Sequence, residues 1–460
     1  SGIGMKARRK WTRRRNLSNR RARALLAELG AKAAAPQRTL YRASNPILEE
    51  CAKECGLVLG EDLAREVADG AAPWLDLWRD TVAFVAHRTN EKLRALHASL
   101  APSGGAVPLP AFLRAADAAG LPLALNGLPA VGYLAFLEVK AAFREALAGR
   151  PEARSWTLSP EDCAFLRRRF EFPRFEPFTY PSADLQLAAA SVEDVAGGRR
   201  RWIVAELHLP PVALQHGIAW ACPDPAAFGR GVRAVAGGPF CDWGFVPADM
   251  TNHTMLHLES LADFSTYAGA SALPAGRNAV RPADAEVGVE DGDVRIRSAG
   301  RDCGSFARSW VPALGFHPFL FSLGAHTPRL LVGDVVVQRE TWTLSRADLP
   351  RAPYAPGAPE LLLDVDRLRA RTGIPRHVYV RPTEGAVRRL GAGGRDKDVK
   401  PVFLDLESEP FLEILARWMA RHGELEVSEM LPGPGELLWR EADGRRTFEL
   451  RTLIVPRGGE

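Results

Sequence analysis

The chain has 460 residues, of which 46% are hydrophobic and 25% charged, and it carries a net charge of +5 with an isoelectric point near 9.0. This length exceeds what a single compact core accommodates, so the sequence predicts two or three subdomains of a globular protein. The sequence contains no apolar run long enough to span a membrane and no signal peptide at its start, which predicts a cytoplasmic location.

Residues 1–42 are predicted to form a basic N-terminal arm. Ten residues between Lys6 and Arg23 are basic, and no acidic residue occurs before Glu28, so the local charge is about +10. Such a run repels itself unless it is solvated or neutralised by an anionic polymer. The functional interpretation is nucleic-acid binding, and the alternative is a solvated tail without a specific partner. The arginines proposed for this binding are Arg8, Arg9, Arg13, Arg14 and Arg15.

Residues 43–172 have the pattern of a mainly helical subdomain, because their apolar side chains recur three and four residues apart. The predicted helices cover residues 46–70, 74–100, 111–119, 134–147 and 159–170. Residues 101–110, APSGGAVPLP, predict a linker. Ser159 precedes two acidic residues and is the expected N-cap of the last of these helices.

Residues 173–350 predict a strand-rich central subdomain. Runs of alternating or continuous apolar residues are separated by turn signals, and a two-strand hairpin is expected over residues 288–297, around Asp291-Gly292. Three prolines within residues 351–360 then separate this region from the last one.

Residues 360–460 predict an α+β C-terminal subdomain. Residues 401–406 alternate as a half-buried strand does, and a helix is expected from Glu409 to Arg421. Ser408 is its expected N-cap, and Gly423 is expected to end it. The fold class is therefore α+β: a mixed multi-subdomain fold with a helical N-terminal part followed by mixed β-sheets with flanking helices.

Three residues near predicted strand ends are candidate catalytic groups. Glu206 and His208 lie two apart in the strand IVAELHL, so both point to one face. A carboxylate beside an imidazole can orient a proton-transfer group or hold an amine. Asp184 precedes another apolar strand and is a candidate contact to a substrate amine. The alternatives are a hydrogen-bonded pair within the sheet for Glu206 and His208, and a turn cap for Asp184.

Several basic residues occur at predicted strand entrances, among them Arg277, Arg281 and Arg329. Their guanidinium groups are candidates for binding the phosphates or terminal sugar of an RNA, and surface salt bridges are the alternative. Further members with less to distinguish them are His326, Arg339, Arg376, Arg381 and Lys400.

The sequence predicts no metal site. Its six cysteines lack the paired CxxC spacing of a zinc module, and Cys51 and Cys55 are expected to be reduced and packed on one helix face. His253 and His257 have helical spacing, but no third ligand accompanies them. The sequence also lacks a recognisable phosphate-binding loop, dinucleotide fingerprint or nucleophile elbow.

A set of ordered phrases resembles the lantibiotic dehydratase family, specifically the later part of its tRNA-dependent glutamylation domain. The set covers roughly residue 43 to the C-terminus. The phrases are YPSADLQLAAASVEDV (180–195), IVAELHL (203–209), RPADAEVGVEDGDVRIRS (281–298), PRLLVGDVVVQRETWTL (328–344), IPRHVYVRP (374–382), DVKPVFLDLES (398–408), SEMLPGPGELLW (428–439) and FELRTLIV (448–455).

The resemblance implies that an aminoacyl-tRNA is the co-substrate. Members transfer glutamate from glutamyl-tRNA to Ser or Thr side chains of a ribosomally made precursor peptide, and a separate C-terminal domain then eliminates it. Related peptide aminoacyl-tRNA ligases lack that elimination domain and use ATP. We expect no elimination domain here, no bound cofactor, and ATP as an optional co-substrate. The basic residues above would then contact tRNA.

The N-terminal portion of the family, with its tRNA-contacting residues and leader-peptide module, has no match in residues 1–42. We therefore expect either a split enzyme that needs an N-terminal-half partner subunit or a reduced relative. The leading hypothesis is a component of a tRNA-dependent acyltransferase that acts on a precursor peptide. The alternative is a non-catalytic scaffold with the same fold that binds peptide or tRNA.

Overall fold

The computed structural model describes most of the chain beyond residue 58. The described residues are 59–119, 130–170, 182–208, 224, 241–245, 264–268, 280–307, 323–352, 354–355, 357–383, 386, 401–441 and 444–454.

Seven α-helices occur in the described residues. They are α1 (Glu61–Leu100), α2 (Leu109–Ala118), α3 (Ala130–Leu147), α4 (Pro160–Arg168), α5 (Val192–Ala196), α6 (Pro359–Thr372) and α7 (Glu409–His422).

The strands begin with β1 (Val107–Pro108), β2 (Ser155–Leu158), β3 (Ser182–Ala188), β4 (Arg201–His208), β5 (Cys241–Phe245), β6 (Phe264–Ala268), β7 (Ala285–Glu290), β8 (Asp293–Ser298) and β9 (Arg301–Ser305). They continue with β10 (His326–Thr327), β11 (Arg329–Val332), β12 (Val335–Gln338), β13 (Thr341–Ser345), β14 (His377–Pro382), β15 (Val402–Asp405), β16 (Glu424–Glu429), β17 (Trp439–Glu441), β18 (Gly444–Arg446) and β19 (Leu450–Leu453).

Two larger sheets organise the described part of the molecule. The six-stranded sheet has the order β19-β3-β4-β12-β11-β2, and the five-stranded sheet has the order β10-β13-β16-β14-β15. A four-stranded sheet has the order β1-β7-β8-β9, and β5-β6 and β17-β18 form two-stranded ribbons. The chain crosses from the six-stranded to the five-stranded sheet between β12 and β13 and returns to the six-stranded sheet as its edge strand β19.

The helical part packs on the six-stranded sheet. Trp78 of α1, Phe143 of α3 and Leu166 of α4 share one buried cluster with Leu185 of β3 and Val204 of β4. Burial of such side chains contributes roughly 1.5–3 kcal/mol each, so helices and sheet stabilise each other. The subdomain boundaries at residues 42, 172 and 350 stay a prediction.

A second core lies under the five-stranded sheet. Val365 of α6 and Met419 of α7 pack against Val378 and Val427 of the sheet. Because strand side chains alternate, the opposite face of the same strands carries polar groups such as Arg381 and Glu426.

The α+β fold class is confirmed, and several local predictions hold. Ser159 accepts a hydrogen bond from the Asp162 amide at 3.1 Å, and the Asp162 carboxylate accepts one from the Ser159 amide at 2.8 Å. This is a capping box. The predicted hairpin is β7–β8, with Asp291 and Gly292 at positive φ. Gly423 ends α7 with φ +76°.

Other local predictions were wrong in detail. Residues 74–100 belong to one 40-residue helix, α1, which runs through Pro73. An interior proline costs about 3 kcal/mol, and burial of the adjoining Trp74 and Trp78 offsets it. Ser408 makes no side-chain cap hydrogen bond. The expected linker at residues 101–110 contains β1, which pairs with β7.

Candidate functional site

Two of the three predicted catalytic residues lie side by side in the six-stranded sheet. Asp184 of β3 is paired directly with Glu206 of β4, so their side chains share a face. Asp184 is fully buried and Glu206 is half-buried. His208 is paired with Ser182 at the end of the same ladder, and its side chain lies outside the described residues.

The alternation of β3 explains this placement. Ala183, Leu185 and Leu187 point into the helix-covered core, so Asp184 and Gln186 point to the opposite face. The pairing of β3 with β4 shifts register between Asp184 and Leu185. A set of polar side chains, here called the polar face, therefore lies on the side of this sheet away from the helices, next to a small apolar cluster that includes Ala188 and Ile203.

Arg451, which was not among the site residues predicted from the sequence, pairs with Asp184. Arg451 of β19 is the ladder partner of Asp184. Its Nε donates to Oδ1 at 2.9 Å and its Nη2 donates to Oδ2 at 3.0 Å. A bidentate pair of this kind is strong and geometrically specific. It fixes the edge strand on β3 and orients the Asp184 carboxylate.

Glu449 adds a third carboxyl group. It precedes β19, and its Oε1 lies 3.5 Å from Nη2 of Arg451. Burial, the charge of Asp184, a hydrogen bond with Asp184 and the charge of Glu206 raise the pKa of Glu449 to about 7, while Arg451 acts in the opposite direction. The side chain keeps 40% of its area exposed, so water moderates this shift.

We call Asp184, Glu206 and Glu449, together with Arg451, the acidic cluster. It sets three carboxyl groups against one guanidinium, and one of the three gains or loses a proton near neutral pH. Groups tuned in this way are common where an enzyme transfers protons. The cluster can also attract an ammonium group.

Arg339 lies close to this polar face. Its Nη2 donates to Oε1 of Gln186 at 3.0 Å, and its Nε and Nη2 donate to the Leu431 carbonyl at 3.2 and 2.7 Å. Burial lowers the pKa of Arg339, and the charges of Tyr379, Glu429 and Glu449 oppose that effect. Its hydrogen bonds connect the polar face to the segment that follows β16.

Arg329 belongs to an ion network between the two large sheets. Its Nε donates to Oε1 of Glu429 at 2.7 Å, and its Nη2 pairs with Oε2. Oε1 of Glu429 also accepts the Glu340 amide at 2.8 Å. Glu340 in turn pairs with Arg154, from Nη2 to Oε2 at 2.9 Å, and with His326, from Nε2 to Oε1 at 3.0 Å.

The remaining residues considered from the sequence divide into two sets. Arg281 is exposed at 75% of its side chain, and its Nε lies 3.8 Å from Asp284. Nothing in the described geometry tests its contact with RNA, so its role and that of Arg329 stay predictions. Outside the described residues lie Arg8, Arg9, Arg13, Arg14, Arg15, Arg277, Lys400, His253, His257, Cys51 and Cys55.

Arg376 and Arg381 each form a salt bridge with a carboxylate. Arg376 donates to both carboxylate oxygens of Asp405 at 2.8 Å, and this pair lowers the pKa of Asp405 to about 2. Arg381 pairs with Glu426 at 2.8 Å, and both side chains are buried. Neither guanidinium is without a carboxylate partner.

Within the described ranges, no group of three His, Cys, Asp or Glu side chains is placed to hold a metal ion. A search of the same residues finds no helix that is both long and apolar enough to cross a membrane.

Comparison with protein-family models and with curated proteins gives no match. Among solved structures, the chain is similar to the glutamylation domain TbtB from thiomuracin biosynthesis with 5′-phosphodesmethylglutamycin bound. The TM-score is 0.52 and the identity 20%, covering 84% of this chain and 50% of that one. A TbtB structure described without that ligand gives a TM-score of 0.50 and 19% identity, covering 85% of this chain and 49% of that one.

The chain thus spans about half the length of the TbtB structures that it matches. The tRNA-dependent lantibiotic dehydratase MibB from Microbispora sp. 107891 gives a TM-score of 0.43 and 18% identity, covering 64% of this chain and 29% of that one. The TbtB likeness confirms the fold expected from the sequence resemblance.

Proposed function

We propose that this chain is a component of a tRNA-dependent acyltransferase that moves an aminoacyl group, glutamyl or another, from aminoacyl-tRNA to a ribosomally made precursor peptide. The observation that carries the proposal is its likeness to the TbtB glutamylation domain over 84% of the chain. The acidic cluster supports it, because it brings together Asp184 and Glu206, two of the three residues chosen from sequence as catalytic.

The reaction needs positioning of the two substrates and a base that first accepts a proton and then returns it. A hydroxyl oxygen of the peptide attacks the ester carbonyl of the aminoacyl-tRNA and forms a new ester bond. The bond between that carbonyl carbon and the ribose oxygen breaks, and the ribose oxygen leaves with a proton. The hydroxyl proton must therefore move to a base and then to the ribose oxygen. Aligning two reactants in this way supplies a large part of the acceleration.

Glu449 is the group of the acidic cluster best suited to that proton transfer. A base works best when its pKa lies near the working pH, and the pKa of Glu449 is raised to about 7. Glu449 must be ionised to accept the hydroxyl proton, so we expect the transfer rate to rise with pH up to about 7 and then level off. Asp184 is fully buried and bound by Arg451, so it is suited to positioning the acidic cluster, and the half-buried Glu206 beside it is the carboxylate suited to attracting the ammonium group of the aminoacyl moiety. His208 stays a candidate for the same proton transfer.

The proposed partners are aminoacyl-tRNA and a precursor peptide. An N-terminal-half partner subunit is a further proposal. Action on ribosomal products and charged tRNA would place the protein in the cytoplasm. We propose no resident cofactor, and ATP is an optional co-substrate.

A non-catalytic scaffold that binds peptide or tRNA is the second candidate. The observation in its favour is the bidentate Arg451–Asp184 pair, which satisfies the buried Asp184 carboxylate without a substrate. In that case the acidic cluster fixes the edge strand and performs no chemistry.

Mass spectrometry of a candidate precursor peptide separates these functions. The peptide is incubated with this chain, aminoacyl-tRNA and any N-terminal-half protein. We expect a mass gain of one amino-acid residue, and we expect Glu449→Gln to slow it by roughly 10²- to 10⁴-fold. Glu407→Gln is the matched control, because Glu407 is also paired with arginine but lies in the turn between β15 and α7. No mass gain with any charged amino acid would leave the scaffold function.

A further inference from the structure

A concave site lies at the opposite edge of the six-stranded sheet from the acidic cluster. It is a cleft of about 280 Å³ between the C-terminal end of α3, strand β2 and the segment that leads into β11. The sheet order puts β2 and β19 five strand spacings apart, which is roughly 24 Å. The cleft is therefore separate from the acidic cluster.

The cleft has an excess of groups that bind anions. Two guanidinium groups, Arg144 and Arg150, and the imidazole of His326 line it against one carboxylate, Glu152. Arg150 is held in place by Asp162, with Nη2 and Oδ1 2.6 Å apart. Arg144 is exposed at the end of α3. Among the lining residues the cationic side chains outnumber the carboxylates, whereas in the acidic cluster three carboxyl groups face one guanidinium.

The aromatic side chains of the cleft are held in place by neighbouring residues. The Trp156 indole donates to the Pro151 carbonyl at 3.0 Å, and Arg150 lies 6.0 Å from its ring centroid. His326 is held through Nε2 by Glu340 at 3.0 Å and stacks on Trp342 at 5.7 Å with 29° between the rings. A site whose side chains are fixed beforehand loses less entropy on binding.

We infer that this cleft binds one nucleotide unit, with its phosphate on Arg144 and Arg150 and its base against Trp156 and His326. Arginine recognises phosphate oxygens, and bases stack on aromatic side chains whatever their sequence. The volume lies just below the roughly 300–1,000 Å³ of small-molecule pockets, which suits a phosphate and one ring system.

This binding site rests on the proposed function where its ligand is tRNA. The nucleotide can come from two sources. It is either a free nucleotide or a nucleotide of the tRNA acceptor strand. Glu206 on β4 lies three strand spacings from β2, roughly 14 Å, and β19 lies five, so the cleft holds a different nucleotide from the one that carries the ester when that ester is at the acidic cluster. In the RNA case the cleft holds a nucleotide further along the acceptor strand.

Isothermal titration calorimetry of the full chain tests whether the cleft binds a nucleotide unit. The probes are AMP, inorganic phosphate and an uncharged RNA minihelix ending in CCA. Saturable binding of AMP identifies a free nucleotide, and binding of the minihelix without AMP identifies the RNA. Either one is expected to bind more tightly than inorganic phosphate, which lacks the ring. Failure of both AMP and minihelix to bind, or binding of phosphate as tight as either, would overturn the inference.

Arg144→Gln assigns the binding to the cleft. Its exposed position predicts normal folding, which an unchanged unfolding midpoint checks. Loss of one charge-assisted hydrogen bond should weaken nucleotide binding by about 10-fold or more. Arg94→Gln is the matched control, because Arg94 lines a different depression on α1, beside His97 and Gly104. Equal affinity of Arg144→Gln and the parent chain would refute the assignment. The titration measures binding alone and requires no acyl transfer. It can therefore support or refute the nucleotide site even if the chain proves not to transfer an aminoacyl group.

Discussion

Removing Glu429 should loosen the junction between the two large sheets. In Glu429→Ala, Arg329 loses both of its hydrogen bonds to carboxylate, and the buried Glu340 amide loses its acceptor. Breaking a buried ion pair costs about 3–5 kcal/mol. The Arg329 side chain keeps 25% of its area exposed, so water recovers part of this loss. We expect the free energy of unfolding to fall by about 3 kcal/mol.

Urea unfolding followed by tryptophan fluorescence measures this loss, and Glu407→Ala is the control. Glu407 pairs with Arg369 and Arg376, but 45% of its side chain is exposed, so its removal should cost less than about 1 kcal/mol. The double variant Arg329→Ala/Glu429→Ala should be no less stable than either single variant, because the unpaired charge is gone. Equal losses in Glu429→Ala and Glu407→Ala would refute the argument that burial makes the network important.

Three further outcomes follow from titration and charge. The pKa of Glu449 is about 7 in the folded chain and 4.5 ordinarily, so the folded chain binds more protons than the unfolded chain between these two pH values. The free energy of unfolding therefore falls as the pH rises through this interval. In Glu449→Gln, the urea midpoint should no longer fall between pH 4.5 and 8. Burial raises the pKa of the Cys163 and Cys303 thiols to about 11, so neither forms the reactive thiolate at pH 8. After treatment of the folded chain with iodoacetamide at pH 8, mass spectrometry should find both thiols unmodified under conditions in which the denatured chain is fully alkylated. Replacing the arginines at positions 13–15 with alanine should weaken tRNA binding and make the affinity less dependent on salt concentration. If the variant and the parent chain bind tRNA equally well across a salt series, the arm does not contact tRNA.

Local signals in the sequence predicted local structure. The Ser159 cap, the β7–β8 hairpin and the end of α7 at Gly423 each depend on residues within a few positions of one another. Their energetics are those of one turn or one helix end, so a short window contains the whole cause. The predicted helix boundary before residue 74 was wrong because α1 runs through Pro73, where the tertiary burial of Trp74 and Trp78 outweighs a local penalty.

The composition of the acidic cluster could be predicted only in part. Strand alternation identified the face of Glu206, and the polar residue before an apolar strand singled out Asp184. Arg451 is 267 residues from Asp184, and only the addition of β19 at the sheet edge brings them together. A signal was present in FELRTLIV, where Glu449 and Arg451 alternate with apolar residues as in a half-buried strand. The pattern shows that these charges share a face, but it does not identify the neighbouring strand.

The position of β19 has a consequence for how the acidic cluster is held. Two of its four members, Glu449 and Arg451, lie at or beside β19. This strand joins the edge of the six-stranded sheet, but in the sequence it follows the strands β13 to β16 of the five-stranded sheet. Arg339 stands at the outward crossing and holds both Gln186, two residues from Asp184, and the Leu431 carbonyl beyond β16. The strand that carries Asp184 is therefore tied, through Gln186 and Arg339, to the segment that follows β16 of the five-stranded sheet. Rigid support of this kind is what a reaction that depends on positioning requires, because an error of about 1 Å can reduce its rate by roughly 10²-fold.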